Sequence, residues 1–313
     1  MDVFDELLRS VRGRGAVFGR SMLWPPWSLR FTDGAYLTFC VPMRGAGWIV
    51  PEGGEPRHVG LGEAAIVRGP APFTFTDDIT REPGAAAREV RWSEGTGGGQ
   101  DTDHELSGPT VLLAAAYDVQ AQVPQRLLRV LPPALVVPEG HDCTAMRDYL
   151  EVQIAGARPG RQIVLDRLLD WLLVCTLRDW FDSPEAEPPG WYQALGDEVA
   201  GPALQAIHED PAHPWTTAGL AARSGVSRTT LAKRFTELVG EAPVAYLTEW
   251  RMTLAADLLS RPELTVAAVA RRVGYADAFG FSAAFKRLRG ESPSTYRQEA
   301  VSRTPARAGA PTA

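Results

Sequence analysis

Two stretches decide the reading of the carboxyl-terminal third: Leu220-Ala-Ala-Arg-Ser-Gly-Val-Ser-Arg-Thr-Thr-Leu-Ala-Lys-Arg-Phe235 and Val269-Ala-Arg-Arg-Val-Gly-Tyr-Ala-Asp-Ala-Phe-Gly-Phe-Ser-Ala-Ala-Phe285. Gly225 aligns with Gly274 and Phe235 with Phe285, so the second copy carries one extra residue between its glycine and its phenylalanine. Each copy has the parts of a helix-turn-helix. A small residue, Ala221 or Ala270, lets two helices cross closely. Gly225 or Gly274 ends the first helix, where a left-handed backbone costs glycine least. Ser227 and Asp277 suit the N-cap of the second helix. Leu231 and Phe235, or Phe281 and Phe285, lie four residues apart and face inward, which leaves the opposite face of each second helix free to enter a major groove.

Between the copies, Pro243-Val-Ala-Tyr-Leu-Thr-Glu-Trp-Arg-Met-Thr-Leu-Ala-Ala-Asp-Leu-Leu259 reads as one helix, with a proline tolerated in its first turn and Pro262 just past its end. A stiff spacer of this kind sets two reading heads on one face of a duplex, about 34 Å apart. The segment closes on Gly290-Glu-Ser-Pro-Ser-Thr-Tyr-Arg297. A lone helix-turn-helix pattern is a weak signal, but the duplicated unit, its spacer and this terminal Gly-x-Ser-Pro-x-x-Tyr-Arg run are specific together. Residues 200–300 resemble the DNA-binding domain of the AraC/XylS family of bacterial transcription regulators.

That resemblance implies a double-stranded DNA operator as partner and RNA polymerase as a further one. It puts the base-reading positions at Thr229, Ala232 and Lys233 in the first copy and at Ala278, Phe279, Ser282 and Ala283 in the second. Lys233 can donate to guanine, and Thr229 offers a hydroxyl or a methyl. Arg228 and Arg234 suit phosphates, as do Lys286 and Arg287. In the second copy only Ser282 keeps hydrogen-bonding capacity, with apolar contact to thymine methyls open to Ala278 or Phe279. The first copy is therefore expected to discriminate sequence and the second mainly to add affinity.

Working outward, the chain has 313 residues, 45% hydrophobic and 22% charged, which suggests two globular domains. The formal net charge is −6, but the sum hides an asymmetry. Residues 1–199 carry 18 Arg against 28 Asp and Glu, whereas residues 200–313 carry 14 Lys and Arg against 10 Asp and Glu. One half can face a phosphate lattice while the other repels it. No apolar run approaches the roughly 18 residues of a membrane span, and the acidic start Met1-Asp-Val-Phe-Asp-Glu6 lacks the basic region of a secretory signal. The expectation is a cytoplasmic protein with no membrane partner, at the nucleoid when bound to DNA.

From Gly15 to Asp103 short apolar runs alternate with Gly and Pro. Ala35–Val41, Gly47–Val50, Glu63–Val67 and, further on, Thr110–Tyr117 read as strands of a barrel or sandwich, and Thr96–Asp103 as a polar loop. The opening Val3, Phe4, Leu7, Leu8 and Val11 have helical spacing and are expected to pack against the barrel. Pro51-Glu-Gly-Gly54, Leu61-Gly-Glu63 and Arg68-Gly-Pro-Ala-Pro-Phe73 resemble segments of cupin-type sensor domains attached to one branch of the same family. Residues 142–157 and 161–181 read as helices; the second is apolar on more than one face, which a barrel and a second subunit would cover. The fold expected is α+β in two domains. A cupin-like β-barrel with flanking helices (1–182) does effector binding and dimerisation, followed by a linker (183–190). An all-α domain with two helix-turn-helix units joined by a linker helix (191–300) and a disordered tail (301–313) complete the chain. Helix 161–181 and the linker are the expected path of transmission.

Three chemistries are open to the amino-terminal half. A catalytic metal needs three or four converging His, Asp or Glu ligands, but His58, His104 and His141 form no His-x-His pair, and Phe73 stands where relatives often carry a histidine. No enzyme activity, metal or other cofactor is expected. A barrel interior can hold one small effector, and Phe39, Trp48, Phe73, Phe75 and Trp92 are the candidate lining. A redox switch needs an exposed, low-pKa thiol, often with a resolving partner. Cys40, Cys143 and Cys175 are far apart, and Ala114-Ala115 replace the Cys-Gly of some relatives. Cys143, at a helix start, is the remaining candidate for an oxidant-responsive regulator. The reading from a different class is a helical repeat that docks protein rather than DNA.

Overall fold

The computed structural model describes residues 3–8, 11–18, 23–32, 34–80, 87–91, 109–117, 119, 121–138, 141–155 and 159–303. The chain divides into two compact units: residues 8–120 with 124–188, and residues 189–313 joined by 1–7 and 121–123.

The first unit opens after helix α1 (Val3–Leu8) and among the described residues builds ten strands: β1 (Gly13–Phe18), β2 (Ser28–Phe31), β3 (Leu37–Arg44), β4 (Gly47–Pro51), β5 (Arg57–Val59), β6 (Glu63–Arg68), β7 (Phe73–Thr76), β8 (Arg88–Val90), β9 (Val111–Tyr117) and β10 (Ala134–Pro138). Helix α2 (Gln122–Leu128) precedes β10, and α3 (His141–Ala155) and α4 (Arg161–Phe181) follow it. The strands form two five-stranded sheets, in the orders β1-β9-β3-β6-β10 and β5-β4-β7-β2-β8. All pairings are antiparallel except β2 with β8. This is the α+β architecture expected, with the sheet-rich cupin half first.

Strand β9 is buried at every position, as its uninterrupted apolar run requires when both faces of a strand are covered. One face of the first sheet presents Cys40, Ala65, Val67, Leu112, Ala114 and Ala116 to a core that also holds Leu29, Phe31, Ile49, Phe73 and Phe75 of the second sheet. Helix α4 covers β1. The edge strand's free N–H groups at Gly13 and Gly15 donate to Asp170 (2.8 Å) and Asp166 (2.9 Å), carboxylates one helical turn apart. Both ends of the spacing match: alternate strand residues point their N–H groups to one side, and i, i+4 side chains share a helix face. A Cβ at Gly15 would lie 2.4 Å from Leu169 Cδ1, so glycine lets the helix rest on the strand backbone. The Tyr117 hydroxyl donates to the Leu169 carbonyl at 3.0 Å; burial above all, then Asp170 and Asp166, push its pKa well up.

The second unit contains α5 (Gly190–Leu195), α6 (Ala200–Glu209), α7 (Thr217–Arg223), α8 (Arg228–Val239), α9 (Pro243–Leu259), α10 (Val266–Arg272), α11 (Ala278–Arg289) and α12 (Pro293–Arg303). Residues 1–7, most of helix α1, group with this unit. Glu6 lies 2.8 Å from Nδ1 of buried His208 on α6, and Phe4 meets Tyr192 edge to face. The sequence shows an apolar face on α1 but not the polar partner, which lies some two hundred residues on. Gln122 and Val123 join the unit through backbone N–H groups that donate to Asp257 on α9; burial raises that carboxyl's pKa against the opposing pull of these bonds. The Thr96–Asp103 loop lies outside the described residues, as does most of the 301–313 tail; α12 runs to Arg303.

Candidate nucleic-acid interface

The two helix-turn-helix units share one frame, bond for bond. Thr216 caps α7 by accepting from the Gly219 N–H, and Thr265 caps α10 by accepting from the Ala268 N–H. Both first helices end in the same doubly bonded turn. In the first unit Gly225 N–H donates to Ala222 O and Val226 N–H to Ala221 O; in the second, Gly274 N–H donates to Arg271 O and Tyr275 N–H to Ala270 O. That pattern needs a left-handed residue after the cap, and Gly225 (φ +67°) and Gly274 (φ +82°) supply it.

Ser227 then caps α8 through the Thr230 N–H, and Asp277 caps α11 through the Phe279 and Gly280 N–H groups. Each second helix has 12 residues and ends at a left-handed glycine, Gly240 or Gly290. Leu231, Phe235, Phe281 and Phe285 are fully buried, as their spacing predicts. The two threonine caps and the two terminal glycines extend the internal repeat at both ends; of these only Gly290 is read in the sequence, as the start of the closing run, although both threonines stand just before an apolar helical pattern.

Helix α9 carries both units. Tyr246 packs edge to face on Phe235 of α8. Met252, Ala255, Ala256 and Leu259 form one apolar cluster with Val269, Phe281 and Phe285. Arg251 donates through Nε to Pro211 O (2.6 Å) and through its guanidinium to His213 O (2.8 Å), beneath the Tyr275 ring that follows Gly274. Two residues further along α9, Thr253 Oγ1 accepts from Arg289 of α11 at 2.9 Å. The stiff spacer read from the sequence is thus bonded to its partners by side chains as well as apolar contact.

The outward surfaces differ. On α8, Arg228, Thr229 and Lys233 are exposed and Ala232 is half-buried; Lys233 approaches Glu237 at 3.9 Å. Arg234 does not stand free as a phosphate ligand. Its guanidinium holds Asp197 at 2.6 Å and ties α8 to the start of α6. Partial burial of Asp197 opposes ionisation, but the Ala200 N–H, Arg234 and the Val199 N–H outweigh it and hold the carboxyl below its ordinary pKa. On α11, Ala278 and Ser282 are half-buried, Ala283, Lys286 and Arg287 are exposed, and Phe279 is 89% exposed. The Ser282 hydroxyl donates to Ala278 O at 2.7 Å.

Of the five aromatic residues expected to line an effector pocket, the four described ones do not converge. Phe73 and Phe75 face the space between the sheets, but Phe73 stacks on Phe31 (4.5 Å) and Phe75 packs on Trp27 (4.9 Å). Phe39 alternates with Cys40 and so lies on the opposite face of its sheet, in register with Ile66 and Ala115. Trp48 alternates with Ile49 and turns outward, edge-on to His58 at 5.2 Å. Trp92 lies outside the described residues. A small cleft beside this core is lined by Phe31, Ala35, Thr38, Val67, Gly69 and Phe73. Among the described residues no group of three His, Cys, Asp or Glu side chains is placed to hold a metal, and no helix is long and apolar enough to cross a membrane. Cys40 is buried and desolvation pushes its thiol pKa up to about 12.

Comparison with known proteins agrees with this geometry. A cupin family model matches residues 2–182 and a helix-turn-helix domain model matches residues 220–299. An AraC-like transcription regulator of Streptomyces antibioticus is 30% identical over 305 residues, covering 95% of this chain and 99% of that protein. The chain belongs to the AraC family of DNA-binding transcription regulators. Within that family, the regulator AlkR of Acinetobacter baylyi is 36% identical over 151 residues, 48% of this chain and 49% of its own. The DNA-binding domain of AdpA, solved in complex with a target DNA, aligns at 32% identity over 36% of this chain and 99% of its own, with a TM-score of 0.33. The oxidant-sensing and protein-docking alternatives gain nothing from these relatives as a group.

Proposed function

We propose that this AraC-family regulator binds a double-stranded operator through α8 and α11 and divides the work unequally between them. Thr229 and Lys233 read bases, while Arg228, Lys286 and Arg287 anchor on phosphates. The observation that carries the reading is the twice-built frame that buries one face of each second helix and leaves the other to solvent. Lys233 offers three donors on a flexible stem that suit guanine O6 and N7. Arg234 is reassigned from phosphate contact to holding α8 in place. The test is the salt dependence of duplex binding by the full chain. Neutralised phosphates release counterions, so log K falls with log salt by about 0.9 per phosphate contacted. A slope near zero refutes DNA as the partner.

The sensor half is proposed to bind a small effector whose preference for one conformation shifts the population competent for DNA. The cleft by Thr38 and Phe73 is the candidate entrance, in place of the five-aromatic lining. A homodimer is proposed through the α3–α4 hairpin, where Tyr149, Val152, Ile163 and Trp171 are exposed. A two-fold contact uses the same patch on both subunits, and exposed Asp148 on α3 with exposed Arg167 and Arg178 on α4 puts both signs of charge on the one hairpin. Replacing Trp171 with Glu should leave a monomer in sedimentation; an unchanged dimer refutes this face. RNA polymerase as a further partner and a cytoplasmic site of action follow from the regulator reading.

A further inference from the structure

We infer that Phe279 makes the second helix-turn-helix unit a reader of thymine C5-methyl groups, so that its half-site is specified by methyls rather than by hydrogen bonds. This deepens the operator reading above and rests on it. At 89% exposure Phe279 exceeds the other large exposed apolar side chains described, among which Ile163 reaches 66% and Val152 63%. It is the second residue of α11, and its N–H is held by the Asp277 cap at 2.8 Å, so an ordered helix end presents the ring.

Its exposed neighbours Gly280 and Ala283 carry no polar side-chain atom, and Lys286 and Arg287 follow about one turn beyond Ala283. The two polar groups nearby are engaged. Ser282 donates its hydroxyl proton to Ala278 O, and one Asp277 carboxylate oxygen accepts from both Phe279 and Gly280. Ala278, the other apolar candidate, is half-buried and short. The exposed strip of Phe279, Gly280 and Ala283 offers no side-chain donor or acceptor with which to distinguish base pairs. The one apolar feature that a major groove offers it is the thymine methyl.

The experiment uses a duplex selected from randomised sequence by the full-length protein, with each thymine replaced in turn by uracil. The replacement removes the methyl and leaves the hydrogen-bonding edge unchanged. At one or two positions in the half-site of the second unit, uracil should weaken binding about fourfold, the equivalent of losing one buried methyl-sized group. At those positions a 5-methylcytosine–guanine pair should bind as thymine–adenine does, and a plain cytosine–guanine pair as uracil–adenine does. In Phe279→Ala the discrimination should vanish there while the salt slope stays as in the parent. The side chain is almost wholly exposed, so its truncation leaves the fold intact, and an unchanged melting curve checks this.

If uracil is harmless at every position of that half-site while salt-dependent binding persists, the methyl reading is overturned and the operator reading stands. If Phe279→Ala weakens thymine and uracil duplexes equally, Phe279 acts as an indiscriminate wedge and the inference again falls. If the full chain shows no salt-dependent duplex binding at all, both fall together.

Discussion

Helices α8 and α11 are built alike and surfaced differently. Each is capped by an oxygen side chain, runs 12 residues, buries an i, i+4 apolar pair and stops at a left-handed glycine. Yet α8 turns Arg228, Thr229 and Lys233 to solvent where α11 turns Phe279, Gly280 and Ala283. The comparison separates what a duplicated fold must keep from what it is free to change. The cap, the glycine turn and the buried pair recur because the backbone cannot make the turn without them. The outer positions are unconstrained by folding, so their divergence reports a division of labour.

The largest expected effects test the shared frame. Phe235→Ala and Phe281→Ala each remove a fully buried ring, and each should cost about 3–5 kcal/mol in denaturant melts. A loss confined to one of them would show that the frames are not equivalent. The caps come next. Ser227→Ala and Asp277→Ala should each cost about 0.5–2 kcal/mol, with Asp277 the larger because it accepts from two N–H groups.

Smaller still, Lys286→Ala and Arg287→Ala should each lower the slope of log K against log salt by about 1 and weaken all duplexes alike. A change of sequence preference in either would move discrimination into the second unit. The smallest effect belongs to Arg234→Ala. Its ion pair with Asp197 is half exposed on the arginine side, so stability should fall by only about 0.5 kcal/mol once solvent screening is allowed for. The carboxyl of Asp197 titrates below its ordinary value in the folded protein. Its contribution is therefore present above the unfolded pKa and lost as pH falls through the folded one. Asp197→Asn should lower stability at neutral pH by that small amount, remove the pH dependence across the acidic window, and leave stability unchanged below the folded pKa.

The frame was legible in the sequence because its signals are local. Pro243 and Leu259 bound α9, and Arg161 and Phe181 bound α4, where the apolar pattern and its punctuation place them. Gly225 and Gly274 declared the two turns. What stayed hidden depends on which face or which distant partner a residue meets. Phe39 and Trp48 look like pocket lining until the strand register is known, and a shift of one residue exchanges the faces. Helix α1 reads as a lid for the sheets because its apolar stripe is visible and the Glu6–His208 contact is not. Arg234 reads as a phosphate ligand because nothing nearby in sequence marks Asp197 as its counter-charge. The free surface of Phe279 could be guessed from its place on the helix, but only the structure shows that Ser282 is engaged and Ala278 half-buried.

The central claim, that discrimination by hydrogen bonds lies in the first unit, is tested most directly by measuring a panel of single-base operator variants against the parent, Lys233→Ala and Ser282→Ala. Lys233→Ala should flatten preference at one or two positions by about 1–3 kcal/mol, and Ser282→Ala should leave every preference as it was. Equal flattening by the two substitutions, or flattening by Ser282→Ala alone, contradicts the account.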